Sequence, residues 1–416
     1  MTEKSDKKKY LGIISSFVNL KNGNLQIHKN LIDIISKSFE SVYLINDQHL
    51  RLLPDLAKRV YFEEYENEDV EIPFKPNNFY LFNPKNSREF KSFCENKELV
   101  LINNIGKHFF DLKTLYLLKK NKVKLIQIMN LGVMKSDYER PLIRYFKNYL
   151  IFHFNQTIFK KITVFLSNIK ILPKIEIRFL SDKTVLESIF KNKVKKFLYL
   201  NKFLYPKEII EVNSRTYDIF SKEKFELSED YIVHLDAGLN IRHEKQLRGE
   251  LSNDLVIKHY EKLNKFLKKL SFEFGKKVII TIHPAYDLIE HKKYFSDYEV
   301  VKFKTRELIS KAFLVTHFDS SAVTDAIFLK KRLMSFESNY MSTNERIHSR
   351  YSSTKVGYLH QNIESDYNFD KKNILKELDS NIKNYNDYIS KFHIINPGEN
   401  GAEKIVRIIK DRFFKK

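Results

Sequence analysis

Two series of short, β-branched apolar runs, each run separated from the next by one segment of helical periodicity, leave this chain few folds to adopt. In the first series residues 10–17 read as a buried strand, 19–24 as a turn, 25–39 as a helix with apolar residues near 3.6 spacing, and 41–46 as the next strand. Further strands are expected at 78–82, 99–103 and 123–129, with a helix over 112–120. The second series opens with a strand at 231–235, a loop over 236–252 and a helix over 253–272, whose Leu255, Val256, Leu263, Phe266, Leu267 and Leu270 form one stripe. Strands follow at 278–282, 298–303, 313–318 and 332–336, the last closing the series. Between them lie helices over 305–312, with Thr305 as the expected cap, and 322–329. Strands joined by single helices pair in parallel and are covered on both faces. The expected class is therefore α/β, with two Rossmann-like domains.

Around 205–230 the periodicity weakens and charge rises, which places an interdomain linker at 206–230. The expected organisation is a charged tail over 1–9, a first domain over 10–205, the linker, a second domain over 231–396, and a basic C-terminal helix within 397–416 able to dock on either domain. With 416 residues, 43% of them hydrophobic, the chain can supply a core to each, so a disordered reading is poor.

Lysine and arginine outnumber aspartate and glutamate by 73 to 52, which calls for an anionic partner or surface. The lysines are spread along the chain and no zinc-finger, RNP or basic-zipper pattern accompanies them, so nucleic acid is not the expected partner. Residues 141–170 combine Arg144, Tyr145, Phe146, Lys147, Phe159, Lys160 and Lys161. Two readings stand open there: an amphipathic helix pair packed on the domain, or a surface that touches anionic lipid headgroups. One cysteine, Cys94, excludes an internal disulfide framework and fits a reducing compartment. No secretory pattern opens the chain and no uninterrupted apolar stretch has the length of a membrane span. A cytoplasmic protein, peripheral at most on the inner membrane face, is expected.

Ligands of open parallel sheets sit outside the carboxyl ends of the strands, so polar residues there have positional meaning. Three groups qualify: Asp236 to Gly238 after the strand 231–235, His283 with Pro284 after 278–282, and Asp319, Ser320 and Ser321 after 313–318. Backbone N–H groups and hydroxyls at the last group suit a phosphate, although ordinary capping by Asp319 or Ser320 would use the same residues. His283 can donate a charged hydrogen bond to phosphate, or be satisfied by a nearby carbonyl. Asp236 can take a proton from an acceptor hydroxyl, or cap a turn, and Glu244 and Asp287 are the next carboxylates in these loops. Arg242, His243 and Arg248 follow Asp236 and suit a phosphate or a substrate carboxylate. Walker, dinucleotide-fingerprint, nucleophile-elbow and zincin motifs are absent, as is a D-x-D carboxylate pair, so no metal and no cofactor are expected.

Taken in order, VHLDAG (233–238), TIHPAYD (281–287) and THFDSSAVTDAIFLKKRLMSF (316–336) resemble the acidic-acidic-glycine, His-Pro and Ser-Ser/Thr motifs of bacterial sialyltransferases. That resemblance implies a GT-B fold with a cleft between two domains, the first binding the acceptor and the second the nucleotide sugar. It implies a CMP-activated acidic sugar (sialic acid, a related nonulosonic acid or Kdo) transferred to a surface-glycan or lipid-linked acceptor. By it Asp236 is the base, His283 binds the donor phosphate, and Ser320 and Ser321 hydrogen-bond the same phosphate. The triplet departs from the pattern at Ala237. The third segment is also similar to that of teichoic-acid glycerophosphotransferases, and capsule-type Kdo transferases are a further similar group.

Overall fold

A computed structural model of the chain describes residues 8–15, 28–54, 72, 75–104, 111–129, 162–163, 165–166, 169–181, 206–238, 253–283, 288–318, 320–341, 343–364 and 370–415. These divide into two compact units, one formed by the chain up to Asp218 together with Ile394–Lys416, the other by Ile219–His393. The tail before residue 8, the turn at 19–24 and most of 141–170 lie outside the described residues.

The first unit contains β1 (Lys8–Ser15), α1 (Lys29–Ser38), β2 (Val42–Asn46), β3 (Phe79–Phe82), α2 (Ser87–Glu95), β4 (Lys97–Asn103), α3 (Leu112–Lys120), β5 (Lys124–Met129), β6 (Ile175–Leu180) and β7 (Pro206–Glu211). Their sheet is parallel throughout, in the order β3-β2-β1-β4-β5-β6-β7. Period-two alternation sends Leu11 and Ile13 into a core under α1 and Ile14 into a second core under α3. The chain leaves this unit within α4 (Arg215–Lys222).

The second unit repeats the plan with β8 (Tyr231–Asp236), α5 (Asn253–Phe274), β9 (Val278–Ile282), α6 (Leu288–Lys292), β10 (Glu299–Lys302), α7 (Thr305–Ser310), β11 (Ala312–His317), α8 (Val323–Phe328) and β12 (Arg332–Glu337). It then continues with α9 (Thr343–Val356), β13 (Leu359–Asn362), α10 (Lys371–Asn381) and α11 (Tyr385–Phe392). The order is β10-β9-β8-β11-β12-β13, again parallel, so the series does not close at β12 as the sequence was read. Thr305 is not the cap of α7: it is the first helical residue, and its hydroxyl meets Thr281 of β9 at 2.7 Å.

The chain finally returns to the first unit as α12 (Gly401–Ile409), whose Ala402, Ile405, Val406 and Ile409 share a core with Leu31, Ile32 and Ile35 of α1. Two side chains from the supposed linker region hold it. Asp218 accepts from the N–H groups of Gly401 and Ala402 at 2.7 and 2.8 Å, satisfying donors that a helix start leaves unpaired. Asn213, just upstream of α4, donates to the Asn396 and Glu399 carbonyls and accepts from the N–H groups of Ile395 and Asn396. Residues 206–230 thus begin with an edge strand and a helix, not with a linker. The charged pattern that hid β7 is what an edge strand carries: Pro206 heads it, and Lys207 pairs with Glu176 of β6 at 2.6 Å.

A Cβ at position 401 would lie 2.4 Å from the carbonyl oxygen of Asn213. Gly401→Ala should therefore destabilise the first unit by about 1–3 kcal/mol through overpacking. Asp218→Ala, which leaves two buried N–H groups unpaired, should cost about as much. Urea midpoints followed by circular dichroism test both, and unchanged midpoints would show that α12 is not integral to that core.

Candidate functional site

In the second sheet β9, β8 and β11 are neighbours, and the connections leave β8 and β11 in opposite directions, which makes the gap between them the topological switch point. Asp236 lies level with Ile282 and Leu235 level with His317. The carboxyl ends of these strands therefore bring Asp236, His283 and the segment from His317 to Ser321 to one edge of the sheet. Pro284, Asp319, Arg242, His243, Arg248, Glu244 and Asp287 lie outside the described residues.

His283 is exposed, one residue past β9. Ser320 is half-buried and Ser321 exposed. The hydroxyl of Ser320 accepts the N–H of Ala322 at 3.3 Å, and the carbonyl of Ser321 accepts both the N–H and the hydroxyl of Thr324, at 3.4 and 3.1 Å. Ser320 thus closes a turn ahead of the helix and does not cap it, the N-cap being Ala322 with no side-chain bond. The helix that follows begins at Val323 and has six residues, so its dipole is small.

Asp236 is placed differently from the loop residue the sequence suggested. It is the last residue of β8, and alternation turns Ile232, His234 and Asp236 toward α5 and α6. Its side chain is fully buried: Oδ2 accepts from His291 Nε2 on α6 and, at 3.5 Å, from the Tyr260 hydroxyl on α5. Oδ1 accepts no hydrogen bond, and His234 Nε2 stands 3.9 Å from it. Burial pushes the carboxyl pKa up, but the hydrogen bond and charge of His291, with His234 and His259, more than offset this and hold it below the usual value. His234 is driven down to about 4 by burial, with Nδ1 3.1 Å from the Thr316 hydroxyl.

Two further groups at this edge were missed. His317, the last residue of β11, is buried with neither ring nitrogen hydrogen-bonded, and burial lowers its pKa to about 3. At the end of β12, Glu337 is buried, accepting from Nε and Nη2 of Arg350 from α9 and 3.4 Å from His360 of β13. Its neighbour Ser338 meets His259 Nδ1 of α5 at 2.8 Å. The signal was present in the polar Ser335, Glu337 and Ser338 that end an otherwise apolar strand. Among the described residues no His/Cys/Asp/Glu group has the arrangement of a metal site.

No family model and no curated protein matches the chain. Among solved structures it is similar to the wall teichoic acid polymerase TagF. A histidine-to-asparagine variant of that protein matches with a TM-score of 0.53 and 11% identity over 97% of this chain and 88% of that one. A histidine-to-alanine variant gives 0.51 and 12% over 97% and 89%. The UDP-GlcNAc 2-epimerase of Methanocaldococcus jannaschii gives 0.44 and 13% over 97% and 99%. At these identities the likeness to TagF is one of fold, and the chain has the GT-B type of architecture, with two parallel-sheet Rossmann-like units.

The buried imidazoles set a pH dependence. His234, His317 and His393 of the second unit have folded pKa values of about 4, 3 and 3, against 6.5 when unfolded. Between those values the unfolded chain binds more protons, so stability is full above pH 6.5 and falls as pH drops, by up to about 1.4 kcal/mol per pH unit for each histidine. The lowered pKa of Asp236 acts the same way at still lower pH, its contribution being lost as pH falls through the folded value. Urea midpoints at pH 7.5, 6 and 5 should decline stepwise, and a flat profile would mean that the imidazoles protonate in place.

Proposed function

We propose that the chain is a metal-independent glycosyltransferase that moves an acidic sugar of the sialic acid, nonulosonic acid or Kdo type from a CMP-activated donor to a hydroxyl of a surface glycan. One observation carries the reading: the three motif segments, far apart in sequence, meet at the carboxyl ends of adjacent strands astride the switch point. Departure of CMP needs its phosphate stabilised more than it needs a strong acid. His283, exposed at this edge, supplies a charge-assisted donor, and the hydroxyls of Ser320 and Ser321 supply two more. Pro284 and Asp319 flank these donors in sequence, and Arg242, His243 and Arg248 follow Asp236, suited to the sugar carboxylate.

Asp236 has two roles in this scheme to be separated. As the base, it takes the acceptor's proton on Oδ1 while His291 orients the carboxylate through Oδ2. Its complete burial favours the other: a fixed charge that holds His291, hence α6 and the chain that joins it to β9 and carries the His-Pro pair. A second donor chemistry, glycerol phosphate transfer from a CDP-linked donor, draws support from the fold shared with TagF and from the Ser-Ser segment.

Calorimetry in EDTA with CMP, CDP, UDP and GDP should show CMP bound best. Binding that appears only with added magnesium or manganese would remove the metal-free claim; because both donor chemistries release CMP, CMP release from CDP-glycerol but not from a CMP-sugar would favour the glycerol phosphate reading. His283→Ala should weaken CMP binding by about 10- to 100-fold, the worth of a charge-assisted hydrogen bond, and the Ser320→Ala, Ser321→Ala double variant by about 10-fold. Asp236→Asn should keep CMP affinity and lower CMP release from donor and acceptor by about 100-fold or more if it is the base. If it instead lowers the urea midpoint and CMP affinity together, the fixing role stands. Parental behaviour of all three variants in both assays would end the motif reading.

A further inference from the structure

Among the described residues, the first unit turns an apolar face outward ahead of β6. Ahead of β6 the N–H of Ile169 donates to the Phe165 carbonyl at 3.0 Å, and those of Ile171 and Leu172 reach the Leu166 carbonyl at 2.9 and 3.1 Å. Lys170 is left-handed there, with φ 65°, and ends the helical turn. The inner side of this turn is accounted for: Thr163 and Leu172 are buried, and Leu166 packs on the core that also holds Leu115 and Leu118 of α3. The outer side of such an element is ordinarily polar. Here Ile162, Phe165 and Ile169, three and four residues apart, are 38, 60 and 48% exposed, and Ile171 adds another 48%.

Cations frame this face. Lys170 stands within it and Lys174 just before β6. The neighbouring β5, whose Leu125 pairs with Ile175, is preceded by exposed Lys119, Lys120 and Lys122, and α3 also presents Tyr116, 50% exposed. From Arg140 to Ile175 the sequence contains seven Lys and Arg residues and no Asp or Glu. Among the described residues no helix is long and apolar enough to cross a membrane. An apolar stripe bordered by lysines, with Glu98 and Glu176 at the nearby strand starts each paired with a lysine, complements a surface that is anionic outside and apolar beneath.

We propose that this face docks on an anionic phospholipid bilayer, with Phe165 and the three isoleucines entering the boundary between headgroups and acyl chains and the lysines meeting the phosphates. The proposal rests on the first unit alone and is independent of the transfer reaction. Co-sedimentation of the full chain with vesicles of phosphatidylcholine, alone or mixed equally with phosphatidylglycerol, tests it. The mixed vesicles should retain the protein, the neutral ones should not, and retention should fall with salt. Phe165→Ser with Ile169→Ser should lower partitioning by about 10-fold or more, as loss of buried apolar surface requires. Lys120→Gln with Lys170→Asn should lower it by about fivefold per charge. All four side chains are exposed, so urea midpoints should hold, and a retained midpoint makes the loss specific. Failure to bind mixed vesicles, or binding indifferent to these substitutions, would overturn the proposal. So would a dimer that Phe165→Ser, Ile169→Ser converts to monomer, since a second copy would then be the occupant, or tight oligonucleotide binding without vesicle binding.

Discussion

Parallel pairing is the constraint from which the rest of each unit follows. A strand that must run in the same direction as its neighbour can be reached only by a crossover over one face of the sheet, so both faces become covered and the strands apolar on both sides. Polar groups are then expelled to the strand ends, and the carboxyl ends of one sheet all lie along one edge. In the second unit that edge collects Asp236, His283, His317 and Glu337. In the first it collects the buried Ser15, Asn46 and Asn103, with Asn46 donating to Asn83 at 2.9 Å. Covering the faces is also why the chain comes back at its end: without α12, the apolar side of α1 and the sheet beneath it would lack part of their cover.

The polar groups buried at such an edge have defined partners. Burial pushes the Asp236 and Glu337 carboxyls up, and the contacts with His291 and Arg350 more than offset this. The two pairs also fix geometry: Glu337–Arg350 joins the end of β12 to α9 in its own crossover, whereas Asp236–His291 joins the end of β8 to α6, the helix that follows the neighbouring β9. His259 and Ser338 make the same kind of link between α5 and the end of β12. Each of these contacts ties one helix position to one strand end. His317 is the contrast, since no hydrogen bond repays its two buried ring nitrogens.

Strong periodicity made most of the elements legible. The helix over 112–120 and the strand over 278–282 have the bounds read from sequence, because their apolar positions are dense and their ends abrupt. The elements that escaped are those in which tertiary context overrides local pattern. β6 is interrupted by Arg178, which a sequence reading takes for a surface residue, yet it is wholly buried and its Nε donates to Gln127 of β5 at 2.8 Å. β7 reads as a charged connection because an edge strand has one neighbour and half its side chains in water. α9 carries little apolar contrast, so its composition does not distinguish it from loop, whereas α10 has a helix signal in its Asp370 cap and in Ile374 and Leu378, buried four residues apart.

Within the candidate site the limit of sequence reading was a single residue of register. His283 and Asp236 were both placed just beyond a strand, on equal terms. Pairing sets Asp236 level with Ile282, so the histidine lies one residue further along than the aspartate. That step matters because a side chain on the last strand residue still obeys the period of two, whereas one on the following residue is released into the loop. Ile232 and His234 already committed the even positions of β8 to the face under α5 and α6, and Asp236 follows them inward to His291. The three motif segments share one edge of one sheet, but which residue of a motif faces the solvent is decided by the strand's last hydrogen-bonded pair, which only the assembled sheet reveals.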